Sequence, residues 1–219
     1  MREFLERTGL SLQYILITHH HPDHAGGVEA LQAETGADVF GPHDQRIPNQ
    51  TRSFSAGEVV EMPRLSLRLQ VFEIPGHTST HIAFYGEDML FCGDTLFSVG
   101  CGRLFEGTPE QMQTSLDQLT SLPDKTRVYC GHEYTLSNCR FALAVEPDNP
   151  DLIKRAESAK RAISEGEPTV PSTIGEEQRV NPFLRTREDS VIDAARKHKP
   201  GVGPGAPTLA VIRAWKDAF

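Results

Sequence analysis

No run of apolar residues in the 219-residue chain approaches the roughly 20 needed for a membrane-spanning helix, so a helical membrane protein is excluded. The four cysteines, Cys92, Cys101, Cys130 and Cys139, form no CxxC pair, which removes dithiol redox and zinc-ribbon chemistry. A chain of 24.2 kDa buries enough surface to fold without disulfides, and free thiols in a reducing cytoplasm are expected. Basic charge is short: Lys+Arg 22 against Asp+Glu 30 gives −8, which argues against nucleic acid or anionic lipid as partner while leaving room for a local basic pocket. The opening MREFLERTGL has neither a basic stretch leading into an apolar one nor an acid-poor transit character, so export is not expected. Internal repeats and low-complexity tracts are absent. A soluble globular monomer without membrane or nucleic-acid partner is the expectation.

The pattern of apolar residues predicts an α/β chain. Arg2–Arg7 reads as helix ending at Gly9, and Leu12–Ile17 as a short strand that must stop at Thr-His-His-His-Pro. Ala25–Thr35 reads as helix, and strands are expected at Ala37–Phe40, Glu58–Met62, Leu65–Ile74, His81–Tyr85, Met89–Cys92 and Arg127–Cys130. Pro109–Ser121 has a helix start at Thr108-Pro109. Beyond Tyr134 the texture turns helical, over Thr135–Glu146 and Pro150–Glu165, with loops expected at Gly166–Asn181 and Lys199–Pro207. This places a boundary between residues 1–133 and 134–219.

The densest chemical signal is His19-His20-His21-Pro22-Asp23-His24. Imidazoles and carboxylates form the ligand set of divalent zinc, manganese and iron, which such donors accept alike. Two residues apart in an extended loop, His19 and His21 can converge on one ion; Asp23 and His24, entering a helix, can converge on a second. For the cluster alone, a solvated loop or incidental surface metal site is the competing reading. His43 and His198 read as exposed surface residues. Three further segments each set a polar side chain just after a strand: Pro75-Gly76-His77-Thr78, Cys92-Gly93-Asp94-Thr95 and Cys130-Gly131-His132-Glu133. Glycine before each permits a sharp exit, and His77, Asp94 and His132 would complete two metal shells.

The series THHHPDHAGG, PGHT, CGDTLF, GCGRLFEGT, CGHEYT, VEPDN, NPF and terminal RAWKDAF resembles glyoxalase II, the hydroxyacylglutathione hydrolase branch of the metallo-β-lactamase superfamily. The resemblance spans essentially the whole chain. It implies an αββα sandwich of two mixed sheets followed by a helical glutathione-recognition domain. It also implies one metal on His19, His21 and His77, a second on Asp23, His24 and His132, and Asp94 bridging, with zinc the expected metal and His20 and Pro22 outside the ligand set. Two divalent ions, two carboxylates and a bridging hydroxide sum to about +1, a suitable charge where an anion forms. Catalysis would fall to Asp94 and Asp23. The implied substrate contacts are Arg103, Phe105, Tyr134, Arg213 and Lys216; without the family, Arg213 and Lys216 read as a solvated helix face. The implied reaction is hydrolysis of S-(2-hydroxyacyl)glutathione, such as S-D-lactoylglutathione, to glutathione and D-lactate, in methylglyoxal detoxification.

Three departures stand out. Phe105 replaces a tyrosine of many relatives and removes a hydroxyl donor. Thr80 stands where relatives have glycine. Only about eleven residues precede the LQYILIT strand, whereas the family places strands and a helix there, so a sheet is expected to lack its first members and expose an edge. The competing functions are a mononuclear iron persulfide dioxygenase, which needs fewer ligands, and a shortened chain that keeps the ligands without activity. A nuclease is disfavoured by the charge.

Overall fold

The computed structural model describes residues 1–219. In chain order its elements are α1 (Arg2–Thr8), β1 (Tyr14–Leu16), α2 (Pro22–Ala25), α3 (Val28–Thr35), β2 (Asp38–Pro42), β3 (Arg52–Phe54), β4 (Val59–Met62), β5 (Leu67–Glu73), β6 (Ile82–Gly86) and β7 (Met89–Gly93). There follow β8 (Leu96–Phe97), β9 (Gly100–Cys101), α4 (Pro109–Thr120), β10 (Arg127–Cys130), α5 (Thr135–Val145), α6 (Pro150–Ser164), β11 (Ser172–Thr173), α7 (Ile174–Val180), α8 (Asp189–Arg196) and α9 (Ala206–Asp217).

Alternation along the strands sorts the chain into layers, because successive side chains of a strand point to opposite faces. In β6, Ile82 and Phe84 join Leu69 and Val71 of β5 and Phe40 and Phe54 of the neighbouring sheet in one core, while Ala83 faces the other way. That other face, with Ala83, Leu90 and Cys92, is covered by Met112, Leu116 and Leu119 of α4 and by Leu209 and Ile212 of α9. On the far side Ile17 and Val39 pack against Ala25 of α2 and Val28 of α3. The order is helix, three-stranded sheet, six-stranded sheet, helices: the αββα sandwich that the resemblance implies.

The larger sheet runs β11-β10-β7-β6-β5-β4 and the smaller β1-β2-β3. The smaller sheet is wholly parallel, where the sequence reading expects two mixed sheets. The expected open edge is there: β1 pairs with β2 alone, and its three residues are only half-buried. In the larger sheet β7 and β10 are parallel, and β5 shares their direction because two antiparallel steps separate it from β7. Three strand ends therefore deliver their loops to one edge. The backbone N–H of Ile82 donates to the carbonyl of Thr18 at 2.9 Å, drawing the end of β1 to the same place.

Several expectations need correction. The helix read over Ala25–Thr35 is two helices, interrupted at Gly26-Gly27. The strand read over Leu65–Ile74 begins after a 3₁₀ turn at Pro63–Leu65. Gly166–Asn181 is not all loop: it holds β11 and α7, whose short span hid a helix capped by Thr173, the side chain of which accepts from the Glu176 N–H. Nor is the second half purely helical, since β11 pairs antiparallel with β10 and completes the first half's sheet.

The halves are tied again at the β8–β9 hairpin. Fully buried Asn181 donates through Nδ2 to the carbonyls of Phe97 at 3.3 Å and Gly100 at 3.0 Å, and to Glu177 Oε2 at 3.0 Å. Glu177 accepts from the Val99 N–H at 2.8 Å, and burial raises its pKa. Asn181→Ala leaves these acceptors unpaired inside the protein, and we expect a loss of about 2–3 kcal/mol. A thermal melt should fall by roughly 5–10 °C; an unchanged melting temperature would remove the hairpin clamp from the account.

Candidate metal centre

Each donor arrives from the end of a regular element. His19 follows β1, His77 follows β5, Asp94 follows β7 and His132 follows β10, while Asp23 and His24 lie in α2, where Pro22 begins the helix. His21 stands just before α2 in an extended conformation, so its ring turns back toward the strand end.

The structure brings the donors into two triads, linked by a third group of His19, His24 and Asp94. His19, His21 and His77 offer ligand atoms within 4.8 Å of one another, and so do Asp23, His24 and His132. His77 Nε2 stands 3.0 Å from His21 Nδ1. His24 Nε2 stands 3.3 Å from His132 Nε2, which lies 3.2 Å from Asp23 Oδ2. Asp94 sits between the sets. Its Oδ1 is 3.2 Å from His24, and its Oδ2 is 3.5 Å from His132 and 3.6 Å from His77.

Neighbouring groups fix which atoms face inward. His77 Nδ1 lies 2.8 Å from the Arg103 carbonyl, to which it donates, leaving Nε2 as an acceptor. His19 Nδ1 meets Thr18 Oγ1 at 3.1 Å. His19 Nε2 and Asp94 Oδ1 are buried without a hydrogen-bond donor, and buried polar atoms are rarely left so. Burial, with histidine neighbours adding to it, holds His19 neutral and far below its usual pKa; burial likewise lowers His77. Neutral imidazole is the form that binds metal. The donor set fits two divalent cations.

Residues missed by sequence reasoning complete the surroundings. Fully buried His81 accepts at Nε2 from the Asp94 N–H at 3.1 Å and stacks on His19 with ring centroids 4.5 Å apart. Its place in His77-Thr78-Ser79-Thr80-His81 was the available signal. His20 is not turned into either triad; its ring nitrogens stand 3.4 Å from Asp44 and 3.5 Å from Glu106. His43 and His198 are exposed, the latter against Trp215 at 4.0 Å.

The triads open into a cavity of about 620 Å³ lined by His21, Asp23, His77, Asp94 and His132 on one side. The facing wall includes all five expected substrate contacts, Arg103, Phe105, Tyr134, Arg213 and Lys216, together with Asn138, which the sequence reading missed. Tyr134 stacks on His132 at 5.0 Å, and the exposed Phe105 ring meets His77 edge-on at 5.3 Å. Arg213 is not a solvated residue: it is 4% exposed and donates to the Cys101 carbonyl at 2.7 Å. Asp217 stands 3.1 Å from Arg213 and 3.3 Å from Arg103. Lys216 donates to Asn138 Oδ1, and burial beside Arg213 lowers its pKa to about 8. A pocket with a floor of imidazole and carboxylate donors and three cations in its wall suits an anionic substrate.

Residues 1–132 match the family described as the metallo-beta-lactamase superfamily, and residues 133–219 match hydroxyacylglutathione hydrolase C-terminus. A hydroxyacylglutathione hydrolase of Ectopseudomonas mendocina is 52% identical over 213 residues, covering 95% of this chain and 82% of that protein. One of Albidiferax ferrireducens is 49% identical over 222 residues, covering 99% and 86%. Among solved structures, ETHE1 from Myxococcus xanthus superposes with a TM-score of 0.64 at 25% identity, covering 99% of this chain and 82% of that one. TTHA1623 in a di-iron-bound form gives 0.58 at 27%, covering 84% and 83%.

Gly131 tests the fit of the centre. A Cβ there would overlap Asp94 Oδ1 and stand 2.6 Å from His24 Cε1. Gly131→Ala is therefore expected to weaken divalent-metal binding by roughly 10–100-fold, read by zinc titration against a competing chelator; unchanged affinity would mean that Asp94 and His24 are not held where metal binding needs them.

Proposed function

The chain belongs to the hydroxyacylglutathione hydrolases of the metallo-β-lactamase superfamily, and on that premise we propose how its own residues divide the work. It is a thioester hydrolase, cleaving S-(2-hydroxyacyl)glutathione to glutathione and a 2-hydroxy acid; S-D-lactoylglutathione is the proposed substrate and methylglyoxal detoxification in the cytoplasm the proposed setting. The observation that carries the two-ion reading is Asp94, whose carboxylate lies within 3.6 Å of histidines from both triads.

In this reading His19, His21 and His77 would hold one ion and Asp23, His24 and His132 the other, with Asp94 placed to serve both. Zinc is the proposed metal, with iron or manganese compatible with the same donors. Ions bound there supply Lewis acidity, lowering the pKa of water and polarising the thioester carbonyl. The chain's own part is positioning. Asp94 is fixed by the His81 contact at its backbone and by the strand end behind it, so its carboxylate keeps one orientation toward the cavity. Asp23, on the cavity wall, sets its Oδ2 3.2 Å from His132 Nε2, so that both atoms would face the same ion. The departing thiolate is a moderate base, and no strong general acid is required of the wall.

Residues 134–219 serve as the glutathione-recognition unit. Arg213 and Lys216 share one side of α9, and with Arg103 they offer donors to the tripeptide's carboxylates. Tyr134 and Phe105 flank the entrance as aromatic walls, Phe105 without the hydroxyl of its tyrosine relatives. The persulfide dioxygenase and inactive-chain readings are not favoured: the first leaves Asp23, His24 and His132 without a task, and relatives at about half identity carry the hydrolase name.

Cleavage of S-D-lactoylglutathione by the purified chain, with and without prior chelation, tests the reading; chelator-sensitive turnover is expected, and none after metal reloading would sink it. Asp94→Ala should abolish hydrolysis, while Lys216→Ala should chiefly raise KM. Equal loss of kcat in both variants contradicts the assignment. Lys216 loses its proton as pH rises through about 8, so KM for the anionic substrate should climb above that pH and stay level below it. That climb should be missing from Lys216→Ala.

A further inference from the structure

The three loops around His77 are joined by a charged network that the hydrolytic reading does not use. Arg46, in the loop after β2, grips Asp44 with both sides of its guanidinium: Nε donates to Oδ1 at 2.8 Å and Nη2 to Oδ2 at 2.7 Å. Its Nη1 donates to Glu106 Oε1 at 2.7 Å, in the loop after β9. Glu106 Oε2 accepts from the backbone N–H and the hydroxyl of Ser79, each at 2.8 Å. The hydroxyl of Thr80 donates to Asp44 Oδ2 at 2.6 Å. Thr80 thus closes the ring.

What the ring encloses gives it a meaning. His77 lies two residues before Ser79, and the loop that Glu106 anchors contains the Arg103 carbonyl that orients the His77 ring. The two segments run side by side, with the Phe105 N–H on the His77 carbonyl at 3.3 Å and the Gly107 N–H on the Gly76 carbonyl at 3.1 Å. His20, between His19 and His21, stands over Asp44 and Glu106. The network therefore borders the His77 loop directly, through Ser79 and Thr80, and the His19–His21 segment through His20. Asp23, His24 and His132 have no hydrogen bond or ion pair with any of its members.

The asymmetry is chemical as well as spatial. Asp44 has a side chain only 4% exposed, and Arg46 beside it holds its carboxyl well below the usual range; Arg46 and Ser79 do the same for Glu106. Both acids stay ionised near neutral pH, and a forked guanidinium joins them with fixed geometry that a point charge would not supply.

We propose that Arg46 is a positioning residue for one metal of the pair: through Asp44 and Glu106 it sets the stance of His77, and so the affinity of the His19, His21 and His77 site independently of its neighbour. This rests on the two-ion reading above. Arg46 does not line the cavity, so its effect reaches the reaction only through the loops it joins.

Zinc titrated into the chelator-stripped full chain against a chromophoric chelator resolves the two equivalents. In Arg46→Ala one equivalent should weaken by roughly 10–100-fold, with the other within about threefold. Glu106→Gln, a gentler change at the loop surface, should move the same equivalent in the same direction. His132→Ala, which weakens the other site, identifies which is which. For the loaded enzyme kcat should fall in Arg46→Ala with KM nearly unchanged, opposite to the pattern for Lys216→Ala. Both equivalents weakening together, or neither moving, would overturn the proposal. A wild-type chain that takes up fewer than two equivalents would overturn the two-ion reading itself, and the proposal with it.

Discussion

Seven imidazole and carboxylate side chains converge on one end of the sheets, and polar groups crowded so closely are held in place by the backbone behind them. Burial lowers the pKa of His19 and His77 and keeps both rings neutral, the form that binds metal, while Asp94 Oδ1 lies 3.2 Å from His24 Nε2. Only a rigid frame sustains such an arrangement. The frame comes from the direction of β5, β7 and β10, whose common end places His77, Asp94 and His132 within reach of one another, and from the bond between Ile82 and Thr18 that brings the smaller sheet to the same edge. The close approach also explains Gly93, whose φ of 49° and proximity to His81 leave no room for a side chain.

The cavity wall, built from the loop after β9 and from α9, supplies what the strand ends cannot. A net charge of −8 would repel an anionic tripeptide, yet Arg103, Arg213 and Lys216 line one wall of the cavity, with Asp217 tempering two of them. Local placement outweighs overall charge because screening confines electrostatic influence to about 8–10 Å. The partly desolvated Lys216 is the sensitive member of this group, since its neighbours include a fixed cation, Arg213.

Residues that act through their own short sequence neighbourhood were legible. The Thr108 cap with its capping box, the αL glycine ending α1, and the strand-then-glycine pattern before His77, Asp94 and His132 all have local causes. The two triads could be sketched from spacing and resemblance because α2 and the strand end leave His19, His21, Asp23 and His24 few ways to turn. Residues whose partners lie far along the chain were not legible. Arg46 meets Glu106 sixty positions away, Asn138 meets Lys216 seventy-eight away, and Asn181 meets Phe97 eighty-four away. Nothing in DQR or in VNPF announces such partners. α7 was hidden for a different reason: at 7 residues it is too short for periodicity to show.

Because β11 lies after α6 in the chain yet pairs with β10, the sheet that carries the metal ligands has no complete edge until the helical half has been made. On a ribosome, where synthesis runs at about 5–20 residues per second, β10 and its neighbours emerge first and wait for a strand that arrives only after two helices. The hairpin behind Asp94 waits longer still, for Asn181. The sheet is thus completed late, by the same half of the chain whose Arg213 and Lys216 line the cavity.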